Sequence, residues 1–172
     1  DERFDQVTDD QLRSLVGRWH EHPDDVVSTY RRARTLSKEP VGNRDLAIAI
    51  GANANLTGEG SPERIGTIRV SSNLLPMLGA RAAHGELFSA ADDAPGEPGT
   101  AILSHALWRR RFGGDPGAVN RPLTINGQTY RVRGVLAAGF SLPREVLPTL
   151  GVVDDGDVFL PLPLGPDAAT TR

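Results

Sequence analysis

The chain has 172 residues, which suits one domain, or one domain with a sub-lobe, able to bury roughly 70% of its unfolded surface without covalent staples. Hydrophobic residues at 38% and charged residues at 24% make an ordinary globular mix and exclude wholesale disorder. The formal net charge of −3 supplies no electrostatic case for a nucleic-acid or anionic-membrane partner, and the absence of cysteine removes disulfides, thiolate metal sites and a Cys nucleophile.

Thr8 followed by Gln11 is a capping-box pattern that predicts a helix, with Leu12, Leu15, Val16 and Trp19 on one face. A second helix is predicted from Pro23, where the missing N–H costs nothing and Asp24 and Asp25 suit the first turn. Pro40 and Gly42 close this region, so residues 1–45 are expected to form an N-terminal helical segment and residues 46–172 the main body. Leu46, Ile48 and Ile50 alternate with smaller residues and predict a strand; the stretch GANANLTGEGSPER reads as turn-rich. Ile65, Thr67, Ile68 and Val70 then predict a second strand, antiparallel to the first. Asn73 to Leu78 is expected as a short helix stopped by Gly79, and Ala90 to Gly99 as an exposed acidic loop.

Ala101, Ile102 and Leu103 predict a short strand that meets Ser104, a good N-cap for a helix from His105 to Phe112 ended by Gly113. Asp115-Pro116 reads as a turn. Asn126-Gly127 between two apolar runs is the strongest local signal, because a type I′ turn needs positive φ at both positions. Counting outward sets Ile125 against Gln128, Thr124 against Thr129, Leu123 against Tyr130 and Pro122 against Arg131, with one face mainly apolar. Gly134 predicts a bend or bulge before Val135, and Val158, Phe159 and Leu160 a last strand.

Few residues could carry chemistry. His20-Glu21-His22 invites a metal reading, but the pair sits where a helix ends before Pro23, and His84 and His105 would join only through the fold; surface histidines are the expectation. Gly58-Glu59-Gly60 lacks the Lys-Ser/Thr of a phosphate loop. In Ser104-His105 the cap role of the serine is preferred to a nucleophile beside its base. Asp92-Asp93 and Asp154-Asp155 read as solvated loop charge, with weak calcium binding as the remote alternative. Arg109, Arg110 and Arg111 complement a helix C-terminus, and Asn55-Leu56-Thr57 is only a formal glycosylation sequon. No catalytic, cofactor-binding or metal-binding residue is assigned, and no cofactor is expected.

From Leu56 onward the order of motifs becomes recognisable. The passage NLTGEGSPERIGTIRVSSNLLPMLGARAAHGELFSAADDAPG, then TAILSHALWRRRFGGDPGAVNRPLTINGQTYRVRGVLAAGF and the closing DVFLPLPL, resembles the MacB-like periplasmic core domain of bacterial ABC-transporter permeases. It is similar in particular to the duplicated permeases of acidobacteria and related soil bacteria. The likeness covers roughly Leu46 to Leu164, with Glu86 where the family more often has Arg and Asn120 where it usually has Gly.

The resemblance implies an α+β domain with a mixed or antiparallel sheet and helices packed on one face, in a family whose domain usually continues past this chain's last residue. It implies an extracytoplasmic, periplasmic module tethered by flanking membrane helices. Such a module couples ATP-driven motion to a substrate or partner and is not an enzyme. Partners implied are the permease's own membrane helices, an ABC ATPase subunit or domain, and a periplasmic adaptor, an outer-membrane protein or a second permease domain; no nucleic acid is among them. No apolar run approaches the roughly 18 residues of a spanning helix, and Asp1 in place of Met predicts a piece of a longer protein. The rival reading is an extracytoplasmic ligand-binding or sensor module sharing the fold; a hydrolase resting on the histidines and acidic pairs ranks last.

Overall fold

Strand alternation sends the apolar residues to two faces, and the chain buries both. The computed structural model describes residues 47–58, 60–93, 99–142 and 156–162. The helices expected after Thr8 and at Pro23, the His20–His22 pair and Asp154-Asp155 lie outside those residues. In chain order the elements are β1 (Ala49–Thr57), β2 (Glu63–Val70), α1 (Leu74–Met77), β3 (Ala82–Gly85), a 3-10 turn at Ala90–Asp93 and β4 (Thr100–Leu103). Then follow α2 (His105–Phe112), a 3-10 turn at Pro116–Ala118, β5 (Pro122–Ile125), β6 (Gln128–Leu136) and β7 (Val158–Pro161).

The described strands form one seven-stranded sheet in the order β3-β6-β4-β7-β2-β1-β5, and β5 also pairs with β6. All strands but β3 therefore close into a ring, which leaves no open edge where they meet. The β2–β7 and β4–β6 pairs are parallel and the others antiparallel, so the sheet is mixed, as expected.

Two clusters follow from the ring. Every ring strand contributes to the first, including Leu56, Ile65, Leu103, Ile125, Val132 and Val158, so this cluster fills the interior. The second collects Ile68, Val70, Ile102 and Phe159 from the opposite faces, under Leu75, Phe88 and Leu142. The helices, expected together on one face, divide between the clusters: α2 carries Leu107 and Trp108 inward, and α1 covers the outside with Leu74 and Leu75.

One local reading is corrected. Residues 51–57, expected as turn, belong to β1, which pairs with β2 from Ala49↔Val70 to Leu56↔Glu63. Gly, Ala and Asn are poor strand formers, but Leu56 is fully buried and the ladder to β2 overrides local preference. β1 thus runs to Thr57 and β2 starts at Glu63.

The Asn126-Gly127 hairpin has the register that counting predicts, Ile125↔Gln128 through Pro122↔Arg131. Asn126 and Gly127 have φ of 49° and 78°, the pair of positive angles a type I′ turn needs. Asn120 has φ 72°; Asn is the residue that best tolerates that region after Gly. Ala101 pairs with Val132 and Ile102 with Gly134, so Arg133 is a bulged extra residue. The bulge explains how Val132 and Val135, three positions apart, both face the interior. A Cβ on Gly134 would lie 2.4 Å from the Glu86 carbonyl oxygen, so the close approach of the chain leaving β3 demands glycine here.

Candidate functional site

Of the residues singled out from sequence, Ser104, His105 and Arg109 to Arg111 lie on or at the start of α2, and His84 lies against it. Ser104 Oγ accepts the Leu107 N–H at 3.1 Å, the N-cap role, and Gly113 ends the helix at φ 61°. Ser104 thus takes the cap position that its place before the helix predicts. The His105 ring lies against Trp108, 5.2 Å between centroids, and His84 approaches the same indole at 5.0 Å. Trp108 is buried, and its Nε1–H donates to the Asp115 carbonyl at 2.8 Å. The fold therefore brings His84, Trp108 and His105 together from β3 and α2. Sequence spacing could not show this, because His84 arrives through the β3–β6 pairing, whose register shifts between Ala82 and His84. Among the described residues no group of three His, Cys, Asp or Glu side chains is placed to hold a metal ion.

Asp92 departs from its expected role as solvated loop charge. Its carboxylate is 6% exposed and lies 3.2 Å from Arg133 Nη1. It accepts the Ser89 N–H at 2.7 Å, the Ser89 hydroxyl at 3.1 Å and the Thr100 hydroxyl at 3.1 Å. Arg133 also donates to the Leu87 carbonyl at 3.0 Å. The bulge that makes Arg133 the extra residue of β6 aims it at this carboxylate, and no local sequence signal marks that pairing.

The helix arginines do more than complement a macrodipole. Arg110 bonds Glu63 at 2.7 Å and Asp157 at 3.2 Å, joining α2 to the starts of β2 and β7. Burial works against its charge, yet the hydrogen bonds to Glu63 and Asp157 and their attraction outweigh it and hold its pKa above the ordinary value. Arg111 Nη1 donates to the Ser61 carbonyl at 2.6 Å, and Gly60 packs on the same guanidinium. Gly58 and Gly60 thus lie between β1 and β2, with no helix following them, and the phosphate-loop reading has no support.

Among the described residues, shallow clefts open on the surface at two places. One of about 200 Å³ is lined by Asn53, Ala54, Asn55, Arg64 and Asn126. Another of about 260 Å³ is lined by Gly99, Asn120, Pro122, Thr129, Tyr130 and Arg131. Neither brings together a nucleophile, a base and an oxyanion donor, the minimum for acyl or phosphoryl chemistry.

The described strands thus form a closed mixed ring whose arginines tie its elements together. The model of the MacB-like periplasmic core domain matches residues 5–171. The chain belongs to that family. The family's description is that of a periplasmic core domain. No curated protein matches the chain. Among solved structures, the extracellular domain of the noncanonic ABC-type transporter YknZ from Gram-positive bacteria is similar at TM-score 0.56 and 14% identity, covering 81% of this chain and 62% of that one. The periplasmic region of MacB from Actinobacillus actinomycetemcomitans gives TM-score 0.55 and 14% identity, covering 77% of this chain and 54% of that one. At such identities the likeness is one of fold. The MacB-like core described here spans less than two thirds of either structure.

Proposed function

We propose that this domain stands on the outer face of a bacterial inner membrane and relays ATP-driven movement of its permease's membrane helices to a substrate or partner protein outside. The observation that carries the reading is the family match over residues 5–171. The ring supports it mechanically. Each of its strands is hydrogen-bonded on both sides to ring neighbours, so a push on one is passed through backbone ladders to the rest. Its partners in this reading are the flanking membrane helices, an ABC ATPase subunit or domain, and a periplasmic adaptor, an outer-membrane protein or a second permease domain.

The test uses the complete permease with its ATPase in lipid nanodiscs. The domain has no cysteine, so Thr129→Cys on the exposed hairpin gives one labelling site in it. A second label goes on the adjoining membrane helix. Energy transfer between the labels should change with ATP, revert with ADP and stay fixed in an ATPase-dead variant. A signal identical in ATP and ADP would overturn the relay.

A further inference from the structure

The cleft at Asn53, Asn55, Arg64 and Asn126 has a donor-rich lining that the proposed relay does not use. Its construction follows from strand alternation. Ala54, Leu56 and Ile65 point into the interior cluster, which sends Asn53, Asn55 and Arg64 to the outer face. Asn55 and Arg64 are direct cross-strand partners, and Asn53 stands opposite Gly66, which adds no side chain to that face. Asn126 joins from the hairpin turn.

The turn also orients the amide of Asn126. Its Oδ1 accepts the Asn55 N–H at 2.9 Å, while its own N–H donates to the Asn55 carbonyl at 2.9 Å. With Oδ1 committed to the β1 backbone, the Nδ2 donors of Asn126 are turned away from it. Arg64 is exposed and has no carboxylate partner among the described residues, in contrast to Arg110, Arg121 and Arg133. A guanidinium fork beside primary amides is complementary to an acceptor-only planar group, and a carboxylate is the group that fits. The lining has no aromatic ring to stack a sugar or base, and no lysine or helix N-terminus to gather a phosphate. Amides are also the natural partners of the peptide groups beside a carboxylate.

We propose that Arg64, Asn55 and Asn126 form a binding site for a carboxylate presented on a peptide, either an acidic side chain or a chain terminus. Arg64 takes the two oxygens, and the amides of Asn55 and Asn126 pair with the flanking peptide groups. The site rests on side-chain geometry alone and stands whether or not the domain relays motion.

The test is a nitrogen-15 NMR titration of the 172-residue chain. Its probes are acetyl-Gly-Glu-Gly amide, acetyl-Gly-Gly-Gly with a free terminus, and inorganic phosphate. One or both peptides should shift the Arg64 Nε–H and the Asn55 and Asn126 side-chain signals saturably, and the tighter of the two identifies the source of the carboxylate. Arg64→Gln should weaken that binding about tenfold or more by removing the charged fork, and Asn55→Asp should do the same by repulsion. Arg131→Gln, exposed and outside the cleft, should leave it unchanged. No saturable shift up to roughly 10 mM peptide, phosphate binding as tightly as the peptides, or full binding by a folded Arg64→Gln chain would overturn the site.

Discussion

Arg133 Nη1 and Asp92 Oδ1 lie 3.2 Å apart, across a junction where a side-chain carboxylate is almost wholly withdrawn from water. The pair ties the 3-10 turn at Ala90–Asp93 to the bulge of β6, with Ser89 and Thr100 satisfying the remaining lone pairs. A buried carboxylate so completely hydrogen-bonded is tolerable; half of the pair alone is not.

Asp92→Ala is therefore expected to destabilise the domain by about 2–4 kcal/mol, the range for losing a charged hydrogen-bonding hub whose partner is left behind. Arg133 is 27% exposed and can regain some water, which keeps the cost from the top of the range for buried pairs. Urea unfolding decides the matter. A loss below about 1 kcal/mol would class Asp92 with ordinary exposed ion pairs.

Trp108 tests the interior. Its ring lies in the same cluster as Leu123, Tyr130 and Val132 of the hairpin, and Phe112 packs against that cluster from one turn further along α2. Trp108→Ala should cost about 3–5 kcal/mol, the usual range for a buried large aromatic. The thermal midpoint should fall accordingly. An unchanged midpoint with a lost binding partner would instead make the indole a contact surface.

The parts of the fold legible in sequence are those fixed by neighbours in the chain. The cap at Ser104, the stop at Gly113 and the hairpin register are set by side chains within a few residues of where they act. The bulge could be anticipated at Gly134 because glycine inside an apolar alternation has few other reasons to stand there. What sequence does not show is what the ring imposes from afar. Residues 51–57 read as turn by composition and become strand because β2 pairs with them. Asp92 reads as loop charge because Arg133, 41 positions away, is brought to it only by the fold. The carboxylate cleft was illegible for the same reason. Asn55, Arg64 and Asn126 converge through two separate strand pairings.

Asn126 has two separable roles, a strained backbone angle and a side-chain acceptor. Asn126→Gly keeps the positive φ and removes Oδ1 from the Asn55 N–H, so it should cost about 1 kcal/mol, one ordinary hydrogen bond. Asn126→Ala loses the same bond and adds left-handed strain, for a further 1–2 kcal/mol or so. Equilibrium unfolding of the two variants should show alanine clearly the worse. Equal losses would mean that the turn relaxes out of the type I′ geometry.

Arg110 and Asp157 share one ion pair but should respond differently to substitution. The guanidinium is 48% exposed, and its links to Glu63 and Asp157 are open to water and salt. Arg110→Ala should therefore cost no more than about 1 kcal/mol, and the cost should shrink as salt is raised. Asp157 also serves the backbone. Its Oδ2 accepts the N–H of buried Gly66 at 3.1 Å, where the parallel pairing of β2 and β7 begins. Removing that oxygen leaves a buried donor unsatisfied, which adds about 1–3 kcal/mol that salt does not screen. Asp157→Ala should thus be the more damaging change at every salt concentration, while Asp157→Asn, which keeps an acceptor for Gly66, should recover most of the difference. Urea midpoints for the three variants at low and high salt measure both effects. If Arg110→Ala proved as costly as Asp157→Ala, the ion pair rather than the backbone bond would fasten β7 to the ring.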